Sequence, residues 1–297
     1  MRTIQIVGAP MDLGQGRRGV DMGCLRLRYA ELERRLEALG YAVTDLGNLD
    51  VPGPEEDETP PDAQGLRHLG AVARVNRQLA ECCRCCHCGA IPLALGGDHS
   101  MAAGSVAGVR AAGRVGVLWV DAHADFNTPQ TSPSRNLHGM PLGALLGQEP
   151  AALAPYLTEE RLAVEDAIIL GLRSVDGGER ELLRCRGVTV FSIATSTNRA
   201  SPPSCVACSI TSPGTTWNAC TSPSMPIRSI LPLRPASALR PRRSFVPAKP
   251  TDHGTPRRRW PWASMDIVEI NPILDDRNHT ADLCVALAAS LLGQSIL

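Results

Sequence analysis

Three side chains that can bind a metal occur at alternate positions after a strongly apolar segment. Asp121, His123 and Asp125 follow Val115–Val120, a run that predicts a buried β-strand. Alternate side chains of an extended strand point to one side, so we expect these three to project together. Burying carboxylates without compensation is unfavourable, and a divalent cation is a frequent counterion. The spacing therefore predicts a metal site at the end of this strand.

A further donor lies 22 residues upstream. Residues 91–95 predict another buried strand, which leads into Gly-Gly-Asp-His-Ser at residues 96–100. Because parallel strands end at the same edge of a sheet, we expect His99 to lie near Asp121. Two strand ends would then contribute ligands to one site.

The order of the predicted elements indicates the fold. Strand and helix patterns alternate from the start of the chain, which favours a three-layer α/β/α domain with a mainly parallel sheet. We expect helices at residues 25–39, 72–80 and 280–292, and an acidic surface loop at residues 54–64. Predicted strands, besides the two above, cover residues 3–8, 42–46, 167–170, 188–191 and 264–270.

The composition excludes several classes of protein. The chain has 297 residues and no net charge, so its total charge favours neither a nucleic-acid nor a membrane partner. No apolar run approaches the roughly 20 residues of a membrane span, and we expect a cytoplasmic protein. Residues 8–19 contain glycines without the G-x-G-x-x-G arrangement, which argues against a nucleotide-binding loop.

Five of the eleven cysteines are crowded into residues 82–88, around His87. Their overlapping C-x-x-C spacings are compatible with zinc. We favour the alternative that the cysteine tract forms the end of a helix and binds no zinc, because no second C-x-x-C follows at zinc-ribbon spacing.

Several motifs together resemble those of the ureohydrolase family, and of arginases most closely. They occur in the order of the family and lie within residues 1–192 and 264–297. The matching segments are residues 8–10, 96–100, 121–125, 131–142, 171–176 and 268–272.

The resemblance implies a binuclear manganese hydrolase that converts L-arginine to L-ornithine and urea. His99 and Asp125 match ligands of one ion, His123 matches a ligand of the other, and Asp121 matches a bridge between both. Carboxylate and imidazole ligands suit manganese, and paired cations acidify a shared water. The resemblance also implies a homotrimer or a homohexamer.

Other matching residues would handle the substrate. His138 matches a proton shuttle, a role that a pKa near neutrality suits, and Glu269 matches the carboxylate that meets the guanidinium. The head-group positions are matched by Asn127, Ser134 and Asn136 for the α-carboxylate, and by Asp176 and Glu179 near the α-amino group. This set favours arginine over agmatine. Arg135 departs from the glycine expected between Ser134 and Asn136.

Residues 193–263 interrupt this otherwise single domain, which we take as residues 1–297. The tract holds 12 of the 24 prolines and ten basic residues against one acid, with no sustained helical or strand period. The family carries a strand ending in Asp-x-Asp, followed by Asp-Pro, which completes both metal sites. No such motif occurs between Phe191 and Ser264.

A shifted reading frame would account for the missing motif. If each codon begins one nucleotide earlier, the positions of Met225, Ile227 and Ile230 allow aspartate, and that of Leu231 allows proline. We therefore interpret residues 193–263 as a frameshifted segment; the alternative is a genuine insertion. We expect the chain as written to fold poorly there and to have little or no arginase activity.

Two other functions stay open. The first is agmatinase or another amidinohydrolase, which urea release from agmatine would reveal. The second is a non-catalytic pseudoenzyme whose basic tract binds polyanions in a salt-sensitive way. The tract lacks aromatic residues spaced for base stacking, which argues against nucleic-acid recognition.

Overall fold

The computed structural model describes residues 2–154, 161–192 and 262–294. Within the intervening tract it describes only the backbone of three short segments. The strands are β1 Thr3–Ala9, β2 Ala42–Asn48, β3 Ile91–Gly96, β4 Val115–Val120, β5 Ala167–Leu172, β6 Thr189–Ser192, β7 Thr211–Ser212, β8 Thr215–Thr216, β9 Arg228–Leu233 and β10 Trp262–Ile267. The helices are α1 Gly23–Tyr29, α2 Leu32–Ala38, α3 Leu69–His87, α4 Ala102–Arg110, α5 Pro141–Leu145, α6 Gly177–Arg186 and α7 His279–Leu291.

Eight strands form one sheet in the order β2-β1-β3-β10-β9-β4-β5-β6, and all their pairings are parallel. Helices cover both faces, so the predicted three-layer α/β/α fold is confirmed. One apolar core packs α3 and α4 on the sheet, and the other packs α1, α2 and α7. The central strands β3 and β4 are largely buried, which explains why they read as continuous apolar runs, whereas the edge strand β2 is mostly exposed. All carboxyl ends of the sheet meet at one edge, where the predicted site residues follow.

The described strands agree with the predicted ones within a few residues at each end. The largest difference is at β10, which begins at Trp262 and ends at Ile267, whereas residues 264–270 were predicted. The extended conformation cannot continue through Glu269, whose φ is +61°. This turn away from the sheet lets Glu269 approach the neighbouring strand end.

Two helices differ from the sequence prediction. The segment predicted as one helix over residues 25–39 is divided into α1 and α2 by Glu31, whose φ is +58°. Helix α3 extends to His87 and therefore includes most of the cysteine tract, which agrees with the helical alternative. No helix in the described parts of the chain is long and apolar enough to cross a bilayer.

The described backbone in the tract contains three strands, although the sequence predicts none there. Strands β7 and β8 form a small antiparallel pair, and β9 lies between β10 and β4 in the large sheet. Parallel neighbours on both sides offer backbone groups to any extended segment. Pro232 has no N–H to give to that ladder. The positions of Met225 and Ile227 lie outside the described residues.

Candidate metal centre

His99, Asp121 and Asp125 meet at the carboxyl edge of the sheet. Their ligand atoms all lie within 4.8 Å of one another, and all three residues are buried. His99 Nδ1 lies 2.7 Å from Asp125 Oδ2 and 3.0 Å from Asp121 Oδ2. Three ligand atoms at this separation can surround one cation.

The chain brings these residues together by a turn, and the extended geometry predicted for residues 121–125 is wrong. Strand β4 ends at Val120, and Asp125 has a φ of +50°, a left-handed conformation that aspartate tolerates better than most residues. The backbone N–H of His123 donates to Asp121 Oδ1 at 2.9 Å, which closes this turn. The convergence therefore depends on local hydrogen bonding as well as on strand alternation.

His99 is fixed by the residues around it. It begins a single helical turn whose capping residue, Asp98, accepts from the N–H groups of Ser100 and Gly14 at 3.0 and 2.8 Å. The ring stacks on Trp119 with centroids 4.2 Å apart. His99 Nε2 has no hydrogen-bond partner among the described residues. The ring is thus held with Nδ1 toward the two aspartates.

The charges in this cluster shift the pKa of His99. Burial by itself lowers the pKa, and the hydrogen bonds of Asp121 and Asp125 outweigh burial and raise it to about 9. Two buried carboxylates thus favour a positive charge between them. A cation at this position satisfies the same demand. Next to the cluster, burial raises the pKa of Asp266 to about 7, against a hydrogen bond from Ser105.

His123 lies at the margin of the cluster. Its Nδ1 is 3.4 Å from Asp121 Oδ1, and about a third of its side chain is exposed. Of the four predicted ligands, the structure therefore groups three tightly and places the fourth beside the predicted bridging residue.

The two predicted catalytic residues are in contact with each other. His138 Nδ1 lies 2.8 Å from Glu269 Oε1, and the same oxygen accepts from the backbone N–H of His99 at 3.0 Å. The N–H of Glu269 donates to Gly97 O at 2.8 Å. The carboxylate of Glu269 thus connects the end of β10 with the turn after β3 that carries His99.

The predicted head-group residues fall into two places. Asn127 Nδ2 donates to Asp176 Oδ2 at 3.0 Å. Glu179 is turned inward, where its carboxylate accepts from the backbone N–H groups of Phe126 at 2.8 Å and Asp176 at 3.2 Å. Glu179 therefore joins α6 to the turn after Asp125. Ser134 and Asn136 lie on the adjacent loop, where the Asn136 N–H donates to Ser134 Oγ at 3.3 Å.

Ser134 also lines a cavity of about 600 Å³ that sequence reasoning missed. Gln64, Gln130, Ser132 and Arg135 line the same cavity. Ser132 belongs to a recognised motif, so its position was available from the sequence. Gln64 comes from a distant surface loop, and nothing in its neighbours indicates this location.

The Arginase family model matches residues 2–204 of the chain. An arginase of Bacillus caldovelox is 36% identical over 315 residues, with both chains fully covered. Its native structure at pH 5.6 superposes with a TM-score of 0.78 at 35% identity, again covering both chains completely. A formimidoylglutamase of Bacillus subtilis shares the fold, with a TM-score of 0.65 at 16% identity over all of this chain and 89% of that one.

The resemblance inferred from the motifs is thus confirmed over the whole chain by relatives well above 30% identity. The fold, the order of the motifs and the carboxylate–imidazole cluster agree with that assignment. The chain belongs to the arginase family, a family of metal-dependent amidinohydrolases.

Proposed function

We propose that this site is built to hydrolyse L-arginine to L-ornithine and urea with manganese. The observation that carries the proposal is the cluster of His99, Asp121 and Asp125 at the carboxyl edge of the sheet. The names of its relatives support arginine as the substrate. A guanidinium carbon is a poor electrophile because resonance spreads its charge, so its hydrolysis needs an activated nucleophile.

The residues present fit one divalent ion. His99, Asp121 and Asp125 would hold it, and their mixed oxygen and nitrogen donors suit manganese. A bound ion of this kind supplies an acidified water as the nucleophile. For a second ion, the described residues offer His123 and a shared Asp121 only. The donor set does not fit a complete second site.

Glu269 and His138 would position the substrate and transfer its proton. The Glu269 carboxylate is held near the cluster by the His99 N–H, and it can accept two hydrogen bonds from a planar guanidinium. His138, 2.8 Å from Glu269, can give a proton to the departing amine. Both roles need groups that stay in place, and this contact orients each of them.

Recognition of the amino acid head group is assigned to the loop side of the site. Asn127, Ser134 and Asn136 would face the α-carboxylate, and Asp176 would lie near the α-amino group. Glu179 would act on the amino group through Asp176 and the turn at Phe126, because its own carboxylate is engaged there. A head-group site of this kind favours arginine over agmatine.

We further propose that residues 193–263 are frameshifted and that the chain as written has little activity. The family match ends at residue 204, shortly after the expected start of the shifted segment at residue 193. Pro232, which occupies a central strand without a donor for the ladder, also supports the proposal. Without the Asp-x-Asp carboxylates, the second ion lacks ligands. An intact reading frame at the nucleotide level would overturn this interpretation.

Metal analysis and urea release test the proposed site together. We expect the purified chain to bind about one Mn²⁺ and to release urea slowly, faster from arginine than from agmatine. Asp125→Asn should lose the ion, whereas Asp282→Asn, on the exposed face of α7, should retain it. Manganese retained by Asp125→Asn would contradict the ligand assignment. Rapid urea release with two bound ions would contradict the incomplete site.

The assembly and location are proposals from the family resemblance. We propose a single domain that forms a homotrimer or homohexamer in the cytoplasm, with L-arginine as its small-molecule partner. Sedimentation velocity of the purified chain tests the assembly, and a monomer at micromolar concentration would contradict it.

A further inference from the structure

The cavity of about 600 Å³ lies between two loops that are far apart in the sequence. Gln64 lines one side, and Gln130, Ser132, Ser134 and Arg135 line the other. Most of these side chains are neutral and can donate hydrogen bonds, and Arg135 is the charged residue among those lining the cavity. The lining therefore suits an anionic group more than a cationic one.

The guanidinium of Arg135 is not neutralised by an acid in the described parts of the chain. None of the described ion pairs includes it within 4.0 Å. The acid nearest in sequence to the cavity residue Gln64 is Asp62. Its carboxylate accepts from the backbone N–H groups of Gln64 and Leu66, each at 2.9 Å. The positive charge of Arg135 is thus available to a ligand.

The backbone of Arg135 is fixed by a turn. Its φ is +57°, and its N–H donates to Ser132 Oγ at 2.9 Å. The side chain lies along Gly65, where an added Cβ would come within 3.2 Å of Arg135 Cδ and closer still to its Nη1. Gly65 has a φ of +80°, so the turn both requires glycine and leaves space for the arginine. The side chain of Arg135 thus lies against Gly65 and lines the cavity.

The loop of Arg135 adjoins the candidate metal centre in sequence and is joined by a hydrogen bond to the segment that follows Asp125. Thr131 Oγ1 donates to Asn127 Oδ1 at 2.9 Å, and Asn127 follows Asp125 by two residues. On the other side of Arg135, the chain enters the turn that carries His138. The loop that lines the cavity is therefore continuous in sequence with the turns that carry Asp125 and His138.

We propose that Arg135 binds the α-carboxylate of an amino acid in this cavity and so selects amino acids over amines that lack a carboxylate. The identity of the ligand rests on the proposed function. The planar guanidinium of arginine can donate two parallel hydrogen bonds to a carboxylate. It also carries a positive charge, which the serine and glutamine side chains of the cavity lack. The same charge repels a ligand such as agmatine, whose corresponding end carries an ammonium group without a carboxylate.

Glycine and ethylamine separate this role from catalysis, because neither contains a guanidinium. We would titrate each into ¹⁵N-labelled full-length chain and follow the Nε–H resonance of Arg135, assigned by its loss in Arg135→Gln. Glycine should shift this resonance saturably and ethylamine should not. Backbone amide resonances of Ser132, Ser134 and Asn136 should report a glycine affinity about tenfold weaker in Arg135→Gln than in wild type, and an intermediate affinity in Arg135→Lys.

A matched control removes the same charge outside the cavity. Arg67 is exposed and does not line the cavity, so Arg67→Gln should keep the glycine affinity within about twofold of wild type. Equal glycine affinities in wild type and Arg135→Gln would overturn the proposal, as would an unshifted Arg135 resonance or an equal response to ethylamine. Urea release plays no part in this measurement, so a catalytically dead chain leaves the result interpretable.

Discussion

At the scale of single residues, Glu179 combines burial with negative charge. Its side chain is 3% exposed, and its two oxygens accept backbone hydrogen bonds from Phe126 and Asp176. Burial, only partly offset by the Phe126 N–H, raises the pKa of Glu179 to about 7. Asp125 adds a like charge nearby. The ionised carboxylate is therefore costly in the folded state.

This shift predicts a pH dependence of stability. The folded pKa lies above the ordinary glutamate value of 4.5, so the folded state holds the proton more tightly than the unfolded chain. The contribution of Glu179 to the free energy of unfolding is therefore fully present below pH 4.5 and is lost as the pH rises to about 7. Glu179→Gln should flatten this part of the profile in urea unfolding at pH 5 and pH 7. Glu33→Gln, at an exposed position of α2, should show the same change in the free energy of unfolding between pH 5 and pH 7 as wild type. An equal change in all three proteins would refute the raised pKa of Glu179.

The indole ring of Trp119 stacks against the imidazole ring of His99. Trp119→Leu should weaken manganese binding, because His99 loses the surface that orients it, and should cost roughly 2–4 kcal/mol of stability. Trp119→Phe keeps an aromatic face and gives up an indole N–H that has no partner among the described residues. We therefore expect Trp119→Phe to bind Mn²⁺ nearly as wild type does, measured by metal analysis at fixed free Mn²⁺. Val75→Ala, another core truncation, should lower stability without weakening metal binding.

At the scale of elements, the turn after β3 depends on a close backbone approach. A Cβ at Gly97 would collide with backbone atoms of Met11, on the loop after β1. The same pair of loops is tied by a hydrogen bond from the Asp98 N–H to Met11 O at 2.7 Å. Since His99 follows directly, the position of a proposed metal ligand depends on this contact.

Gly97→Ala should therefore be destabilising by about 1–3 kcal/mol, because backbone atoms must separate. Gly70→Ala is a matched control: Gly70 is exposed on α3 and has open space around it, so alanine should stabilise the helix by about 0.5–1 kcal/mol. Thermal unfolding measures both changes. A Gly97→Ala protein as stable as wild type would show that the two loops do not pack as described.

The elements and the site were predictable to different extents. Apolar runs predict buried strands such as Val115–Val120. The carboxylate and imidazole residues that follow these strands predict a metal site. The break at Glu31 and the turn at Asp125 were not predictable, because both depend on left-handed residues that carry no glycine signal. The inward orientation of Glu179 depends on backbone groups of another segment, which no local pattern reveals.

At the scale of the whole molecule, the order of strands determines which segments complete the site. β10 lies beside β3 although their sequences are far apart, and β9 separates it from β4. Local patterns give the strands and not their neighbours, since parallel pairing is decided by long-range contacts. The proposed frameshift therefore concerns a segment whose described strand, β9, lies in the middle of the sheet.

Restoring the reading frame of codons 193–263 should change the whole molecule. We expect bound manganese to rise from about one to two ions per chain, with a gain in urea release of at least about 100-fold, since direct ligands are regained. A matched version with asparagine in place of each restored aspartate should keep the fold and lose the gain. Unchanged metal content in the restored protein would contradict the frameshift interpretation.

The hydrogen bond from the His99 N–H to Glu269 spans 170 residues, and it has a consequence for biosynthesis. A ribosome releases His99, Asp121, His123 and Asp125 well before Glu269. At about 5–20 residues per second, the delay is roughly 10–30 s. The emerging polypeptide therefore presents the proposed metal ligands before the carboxylate of Glu269 exists, so the proposed cation site can form during translation before the contact with Glu269 does.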